Sequence, residues 1–149
     1  MSYFKILIVE DEVLIADMIE RYLQEQGYDV VGKAISYDEA CALYADYQPD
    51  LVLIDIRLSG AKTGINLAHF IQEHPHSCPF IFLTSQLDRK SLDLAKATLP
   101  VGYLSKPIHK ESLYTTIEIG MHNYEVQKQH KVTLRLQDSD RYYLVPVDD

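Results

Sequence analysis

Residues 51–60 read LVLIDIRLSG, and this stretch decides the fold class. Four apolar residues precede Asp55, which is typical of a strand buried on both faces of a parallel sheet with helices on either side. An isolated buried charge is costly, so a carboxylate after such a strand must be paired, coordinated to a metal or exposed. Which of these holds for Asp55 depends on the residues that the rest of the chain places around it.

Apolar runs alternate with amphipathic segments along the rest of the chain. The apolar runs predict five strands, at residues 4–9, 28–32, 51–54, 79–84 and 101–105. The amphipathic segments predict five helices, at residues 13–26, from 36 with a capping-box pattern, 64–74, about 88–97, and from about 110 into the 120s. This alternation predicts an α/β fold, a doubly wound parallel sheet with right-handed crossovers and helices on both faces.

Composition limits the classes of function. The 149 residues suit one domain, or one domain with a fragment attached, and their formal net charge of −8 argues against binding to a nucleic acid backbone. No apolar run approaches the ~20 residues of a membrane span, and the N-terminus offers no signal peptide. Cys41 and Cys78 lack metal or redox spacing, as expected of reduced thiols. We therefore expect a cytoplasmic protein with no membrane partner.

Polar side chains follow the predicted strands at the sheet edge where function gathers in such folds. Glu10 and Asp11 follow the first strand, Asp55 the third and Lys106 the fifth, while Thr84 ends the fourth. Two like charges at 4 Å repel by roughly 4 kcal/mol at an effective dielectric of 20, so the three carboxylates need cations among them. Lys106 supplies one, and an all-oxygen site suits Mg²⁺ as the other. A metal-bound carboxylate beside a lysine is suited to phosphoryl transfer.

In order, type and spacing, these residues resemble the receiver domain of two-component response regulators, over about residues 3–126. The resemblance implies a flavodoxin-like sheet with strand order 2-1-3-4-5, five helices and a receiver domain at residues 1–126. It implies a signalling switch that assists only its own phosphorylation and dephosphorylation, not an enzyme. Its partner would be a sensor histidine kinase.

The resemblance also implies roles around the metal. Asp55 would be the phosphoacceptor and a Mg²⁺ ligand, exposed at the end of its strand. Asp11 would be the direct Mg²⁺ ligand, and Glu10 would help to hold the metal, largely through water. The Arg57 backbone carbonyl would be a further ligand. The side chains of Arg57 and Gln86 would flank the phosphoryl group and tune its hydrolysis; Arg57 could also pair with Glu10, or simply be solvated.

Further implied roles concern switching. Thr84 would donate a hydrogen bond to the phosphoryl oxygens and Lys106 would form an ion pair with them, while Pro107 matches a family proline often preceded by a cis peptide bond. Tyr103 would be the switch aromatic and turn inward after phosphorylation, although an aromatic residue on a strand is usually core. The face of the fourth helix, fifth strand and fifth helix would then change and form a symmetric homodimer.

Residues 127–149 follow another pattern. The stretch KVTLRLQDSDRYYLVPVDD alternates, turns at 138–140 and resumes, which predicts a β-hairpin. It resembles the opening strands of a LytTR-type DNA-binding domain, so we expect a linker and the beginning of an output domain for transcription regulation, with any DNA contact made by the remainder of that domain. The alternative is a short extension that packs on the receiver or pairs with another chain.

Three other functions were weighed against the switch. A haloacid-dehalogenase-type phosphatase also uses an aspartate nucleophile with Mg²⁺ but needs an acid two residues later, where this chain has Arg57. A receiver-like binding module that accepts no phosphoryl group would not require all five site residues. A flavodoxin-like cofactor binder would place its phosphate beside Glu10 and Asp11, which would repel it.

Overall fold

One parallel sheet organises the computed structural model, which describes residues 4–86 and 88–138, with side chains through residue 129. The strands are β1 (Lys5–Val9), β2 (Asp29–Ala34), β3 (Leu51–Asp55), β4 (Phe80–Thr84) and β5 (Gly102–Ser105). The helices are α1 (Val13–Glu25), α2 (Tyr37–Tyr47), α3 (Gly64–Glu73), α4 (Arg89–Ala97) and α5 (Lys110–Asp138). The strand order is β2-β1-β3-β4-β5 and every pairing is parallel, so the predicted fold class and strand order are confirmed.

The core lies on both faces of the sheet because side chains alternate along each strand. In β3 all five residues are buried. Leu51 and Leu53 join the apolar cluster that includes the buried faces of α1 and α5, whereas Val52 and Ile54 join the cluster that includes α2 and α3. The continuous apolar run thus reflects burial on both sides, as predicted.

Side-chain caps fix where two of the helices begin near the carboxyl ends of the strands. Ser36 Oγ accepts the Glu39 backbone N–H at 3.2 Å, while the Glu39 carboxylate accepts the Ile35 N–H at 2.8 Å. Thr63 and Asn66 form a complete capping box at the start of α3. The predicted signal at 36–39 is therefore a true helix start, with the glutamate reaching one residue further back than in the usual box.

At the opposite edge of the sheet, where the strands have their amino ends, polar side chains form hydrogen bonds with backbone groups. The Asp50 carboxylate accepts the Lys5 backbone N–H at 2.7 Å. The Tyr44 hydroxyl donates to the His76 carbonyl at 2.5 Å, and His76 Nε2 lies 2.8 Å from the Pro49 carbonyl oxygen. Each of these side-chain contacts has a neutral backbone group as its partner, so this edge is held by hydrogen bonds to the backbone.

The last helix continues further than the sequence pattern indicates. α5 extends through Asp138, so the predicted first strand of the hairpin, around residues 132–136, is wrong. Helix propagation adds one hydrogen bond per residue, whereas a lone two-stranded hairpin is marginal in water. The predicted turn beyond Asp138 and the second strand lie outside the described residues. In the part of the chain that the structure describes, we find no helix that combines the length and apolar character needed to span a membrane.

Candidate functional site

Strand register brings the predicted polar residues to one sheet edge. Val9 pairs with Ile54, so Glu10 and Asp55 are the next residues on neighbouring strands. Asp55 pairs with Leu83, one residue before Thr84, and Thr84 pairs with Ser105. The Lys106 backbone N–H donates to the Thr84 carbonyl at 2.7 Å, which carries the lysine onto the same edge. The topology therefore gathers residues that are separated by almost a hundred positions in the sequence.

Lys106 lies between two buried carboxylates. Its Nζ is 2.6 Å from Glu10 Oε1 and 3.1 Å from Asp55 Oδ2. The Glu10 side chain is 0% exposed, that of Asp55 7% and that of Lys106 13%. The prediction that Asp55 is exposed at the strand's end is thus wrong. Glu10, after the neighbouring strand β1, and Lys106, after β5, shield Asp55 from solvent. Pairing with Lys106, instead of solvent, compensates the charge of Asp55.

Burial and pairing shift the pKa values in this cluster. Burial raises the pKa of Glu10 from 4.5 to about 7, although contact with Lys106 works in the opposite direction and Asp55 adds to the rise. Burial alone would lower the pKa of Lys106, but Glu10 and Asp55 hold it above its ordinary value. The carboxylates thus favour a cation beside them, and one lysine does not fully satisfy both.

The oxygen atoms of this cluster fit a hard metal ion. Carboxylate oxygens of Glu10, Asp11 and Asp55 all lie within 4.8 Å of one another. Glu10 Oε1 is buried and, despite its short contact with the lysine, makes no hydrogen bond of suitable angle to any described residue. A site whose ligand atoms are all oxygens, one of them buried without a hydrogen bond, matches the ligand preference of Mg²⁺. These three residues could therefore hold the metal.

Asp11 and Asp55 are further held by the loop after β3. The Arg57 backbone N–H donates to Asp55 Oδ1 at 2.9 Å. Ser59 donates to Asp11 Oδ2 from its hydroxyl at 2.5 Å and from its backbone N–H at 3.2 Å. Burial works to raise the pKa of Asp11, but the Ser59 hydrogen bonds hold it below its ordinary value.

The remaining predicted residues surround this centre. Thr84 is half-buried at the end of β4, and Arg57 and Gln86 have exposed side chains. In the described part of the chain the ion-pair partner of Glu10 is Lys106, so the alternative in which Arg57 pairs with it is not found.

Two features near Lys106 also bear on the predictions. Pro107 follows a cis peptide bond, as the resemblance implied. Tyr103 is 41% exposed, with its ring 6.2 Å from that of Phe82, so the alternative that it is a core residue is wrong.

Two contributors to the site were missed by the sequence analysis. A Cβ at Gly64, the first residue of α3, would collide with the Asp55 backbone carbonyl, so glycine allows the helix to start against the end of β3. Ser59 lies 48 positions from Asp11, and its hydroxyl carries no distinctive motif. The available signal was its place in the loop directly after β3, at the edge already expected to hold the site.

Comparison with known proteins identifies the class to which this fold and site belong. Residues 6–118 match the response regulator receiver domain family, and the chain belongs to that family. It is similar to the signal receiver domain of a modulated diguanylate cyclase from Desulfovibrio desulfuricans G20, with 35% sequence identity and a TM-score of 0.78. That match covers 85% of this chain and 99% of the other.

Curated relatives are longer than this chain. Over 120 residues it is 32% identical to the transcriptional regulatory protein PdtaR of Mycobacterium tuberculosis, covering 80% of this chain and 58% of the relative. It is 34% identical over 115 residues to the uncharacterized transcriptional regulatory protein YbdJ of Bacillus subtilis, covering 76% of this chain and 48% of the relative. The chain thus spans about half of the length of these relatives.

Family membership establishes the general function. The chain is a receiver domain of a two-component response regulator, a signalling domain and not an enzyme of the usual kind. Response regulators are phosphorylated by sensor histidine kinases, and receiver domains bind Mg²⁺ at an acidic pocket. The cluster of Glu10, Asp11 and Asp55 is the acidic group at the corresponding edge of this sheet.

Proposed function

We propose that Asp55 is the phosphoacceptor and that Mg²⁺ bound by Glu10, Asp11 and Asp55 is required for its phosphorylation. The observation that carries this proposal is the contact of Lys106 Nζ with both Glu10 and Asp55 beside a third carboxylate. A single ammonium shared by two buried carboxylates leaves negative charge for a metal to neutralise. The Arg57 backbone carbonyl is proposed as a further metal ligand.

In the proposed reaction, an Asp55 carboxylate oxygen attacks the phosphorus of a phosphohistidine on a sensor kinase. A new O–P bond forms, the P–N bond breaks, and the electron pair leaves with the histidine nitrogen. Mg²⁺ held by Glu10, Asp11 and Asp55 would supply positive charge to neutralise the oxygens of the transferred phosphoryl group. Lys106 pairs with one of these oxygens and the Thr84 hydroxyl donates to another. Because both groups lie at ends of rigid strands, little reorganisation is needed during transfer.

The signal would leave the site through the face formed by α4, β5 and α5. Phosphorylation adds about −1.5 to −2 charge and three acceptor oxygens. Thr84 would move toward the phosphoryl group and Tyr103 would turn inward, with Arg57 and Gln86 tuning hydrolysis. A switch from 1:99 to 99:1 needs roughly 5.5 kcal/mol, which a few charge-assisted hydrogen bonds at ~1.5–3 kcal/mol each could supply.

This face would then form a symmetric homodimer. The three elements already expose large apolar side chains, Leu94 on α4, Tyr103 on β5 and Ile119 on α5. The expected result is that the beryllofluoride–Mg²⁺ complex sediments as a dimer and that Ile119→Glu keeps it monomeric, while Tyr47→Glu on α2 does not. A complex that stays monomeric at high protein concentration would exclude this mode of signalling.

Residues 127–149 are proposed to link the receiver to an output domain, with transcription regulation as its function. The greater length of the relatives, whose names describe transcriptional regulators, supports this proposal.

Phosphorylation is tested by incubating the protein with Mg²⁺ and acetyl phosphate and measuring its intact mass. We expect one added phosphoryl group, lost in Asp55→Asn and when EDTA removes the metal. Asp46→Asn, an exposed aspartate on α2, is the matched control and should be phosphorylated normally. Absence of an adduct in the parent protein, or an adduct that survives Asp55→Asn, would refute the assignment.

A further inference from the structure

Ser59 connects the loop after β3 with the loop after β1. Both of its hydrogen bonds go to the same atom, Asp11 Oδ2, at 2.5 Å from the hydroxyl and 3.2 Å from the backbone N–H. A carboxylate held at one oxygen by two donors loses much of its freedom to rotate. Both Ser59 donors use Oδ2, so Ser59 leaves the other oxygen of Asp11 without a hydrogen bond from itself.

The charge on Asp11 makes these two bonds stronger than neutral ones. Hydrogen bonds to an ionised carboxylate are roughly twice as strong as those between neutral groups. An ionised, oriented carboxylate is the form that a divalent cation requires.

We propose that Ser59 is a positioning residue for Mg²⁺: it holds Asp11 in the orientation that binds the metal, and it ties the loop after β3 to metal binding. This inference rests on the proposed function, because it takes Asp11 as a ligand. Partners that orient metal ligands typically contribute 10–100-fold to metal affinity. Ser59 lies outside the predicted set of site residues and acts through Asp11.

The test is to titrate the whole chain with Mg²⁺ and to measure the heat of binding by calorimetry, at fixed pH and ionic strength. Ser59→Ala keeps the backbone donor and removes the hydroxyl, so we expect its Kd for Mg²⁺ to rise about tenfold. Ser59→Thr keeps a hydroxyl and should stay within about twofold of the parent protein. Ser112→Ala, the same chemical change at an exposed position of α5, should leave the Kd unchanged.

A second measurement separates positioning from a general effect on the fold. In an Asp11→Asn background, Ser59→Ala should change the Kd by less than about twofold, because its effect passes through Asp11. Thermal unfolding without Mg²⁺ should show that every variant is folded. An equal loss of Mg²⁺ affinity in both backgrounds would mean that Ser59 acts on the fold and not through Asp11.

The outcomes also separate this inference from the proposed function. If the parent protein binds Mg²⁺ and Ser59→Ala binds it equally well or more tightly, the inference alone is overturned, and tighter binding would mean that Ser59 competes with the metal. If the parent protein binds no Mg²⁺, the metal site itself is refuted and the role of Ser59 with it.

Discussion

The two ends of β3 carry an aspartate each, and the structure treats them differently. Asp50, just before the strand, accepts the Lys5 backbone N–H at 2.7 Å and so joins β3 to β1. Asp55, at the end of the strand, shares Lys106 with Glu10 and lies within 4.8 Å of two other carboxylates. Asp50 has a neutral hydrogen-bond donor as its partner. Asp55 belongs to a cluster in which negative charges outnumber positive ones.

This difference distinguishes a structural carboxylate from a functional one. Asp50 stabilises the fold because its carboxylate accepts the Lys5 backbone N–H, which would otherwise lack this acceptor. The cluster at Asp55 has the opposite character, because like charges are held together in a buried place. We infer that the fold tolerates this repulsion in order to bind a cation, and the following predictions measure both ends.

The largest effect is expected when the lysine is removed from the cluster. Lys106→Met leaves Glu10 and Asp55 buried without their common cation, and the free energy of unfolding should fall by about 3 kcal/mol in metal-free protein. Chemical denaturation at pH 8 measures the change. Saturating Mg²⁺ should restore part of the loss, because a divalent ion replaces the missing charge.

Lys33→Met is the matched control for that experiment. Lys33 also bridges two carboxylates, Asp17 and Glu20, at 2.7 Å each, but its side chain is 35% exposed. Exposed ion pairs contribute about 0–1 kcal/mol, so this variant should lose little stability and respond little to Mg²⁺. Equal losses at both lysines would show that the buried cluster has no special energetics.

Substitution of the two aspartates at the ends of β3 should change the free energy of unfolding in opposite directions. Asp50→Ala leaves the Lys5 N–H without its acceptor and should lower the free energy of unfolding by about 2 kcal/mol. Asp55→Asn removes one of the crowded negative charges and should raise it by about 1 kcal/mol in metal-free protein. Denaturation of the two variants side by side tests this, and a destabilised Asp55→Asn would contradict the picture of repulsion.

The stability of the protein should also depend on pH through Glu10. Its pKa is raised from 4.5 to about 7, so between these values the folded protein holds a proton that the unfolded chain has released. The stability contributed by this proton is present below 4.5 and is lost as the pH rises through about 7. Glu10→Gln stays neutral, so its advantage over the parent protein should grow by up to about 1.4 kcal/mol per pH unit between pH 5 and pH 7.

Urea titrations of both proteins at several pH values give this difference directly. Added Mg²⁺ should reduce it above pH 7, since a bound cation stabilises ionised Glu10. A difference that does not change with pH would mean that Glu10 is ionised in the folded protein throughout this range.

Much of the fold and of the site could be predicted because local sequence patterns indicate where the strands begin and end. The run 51–54 is apolar on both faces of its strand, and a parallel sheet necessarily collects its carboxyl ends at one edge. Glu10, Asp55 and Lys106 were therefore predictable as neighbours without any contact being known. The depth of Asp55 was not, because its burial depends on how side chains from other strands pack over it.

The other predictions that failed also depended on contacts that a local sequence pattern does not encode. Ser59 was missed because a serine in a loop gives no periodic signal, and its partner is 48 positions away. The alternation at 132–136 predicted a strand, but a strand needs a partner, whereas a helix already formed at Lys110 can continue through its own hydrogen bonds. The role of residues 127–149 stays a prediction.

The uninterrupted run of α5 to Asp138 has a geometric consequence. Its 29 residues form a rod about 43 Å long, rooted in the receiver by Leu113 and Ile117. Each residue inserted between Tyr124 and Asp138 would rotate whatever the rod carries by about 100°, whereas seven would return it to within about 20° of its first bearing. In the proposed role of a linker, the length of this segment would therefore set an angle as well as a distance.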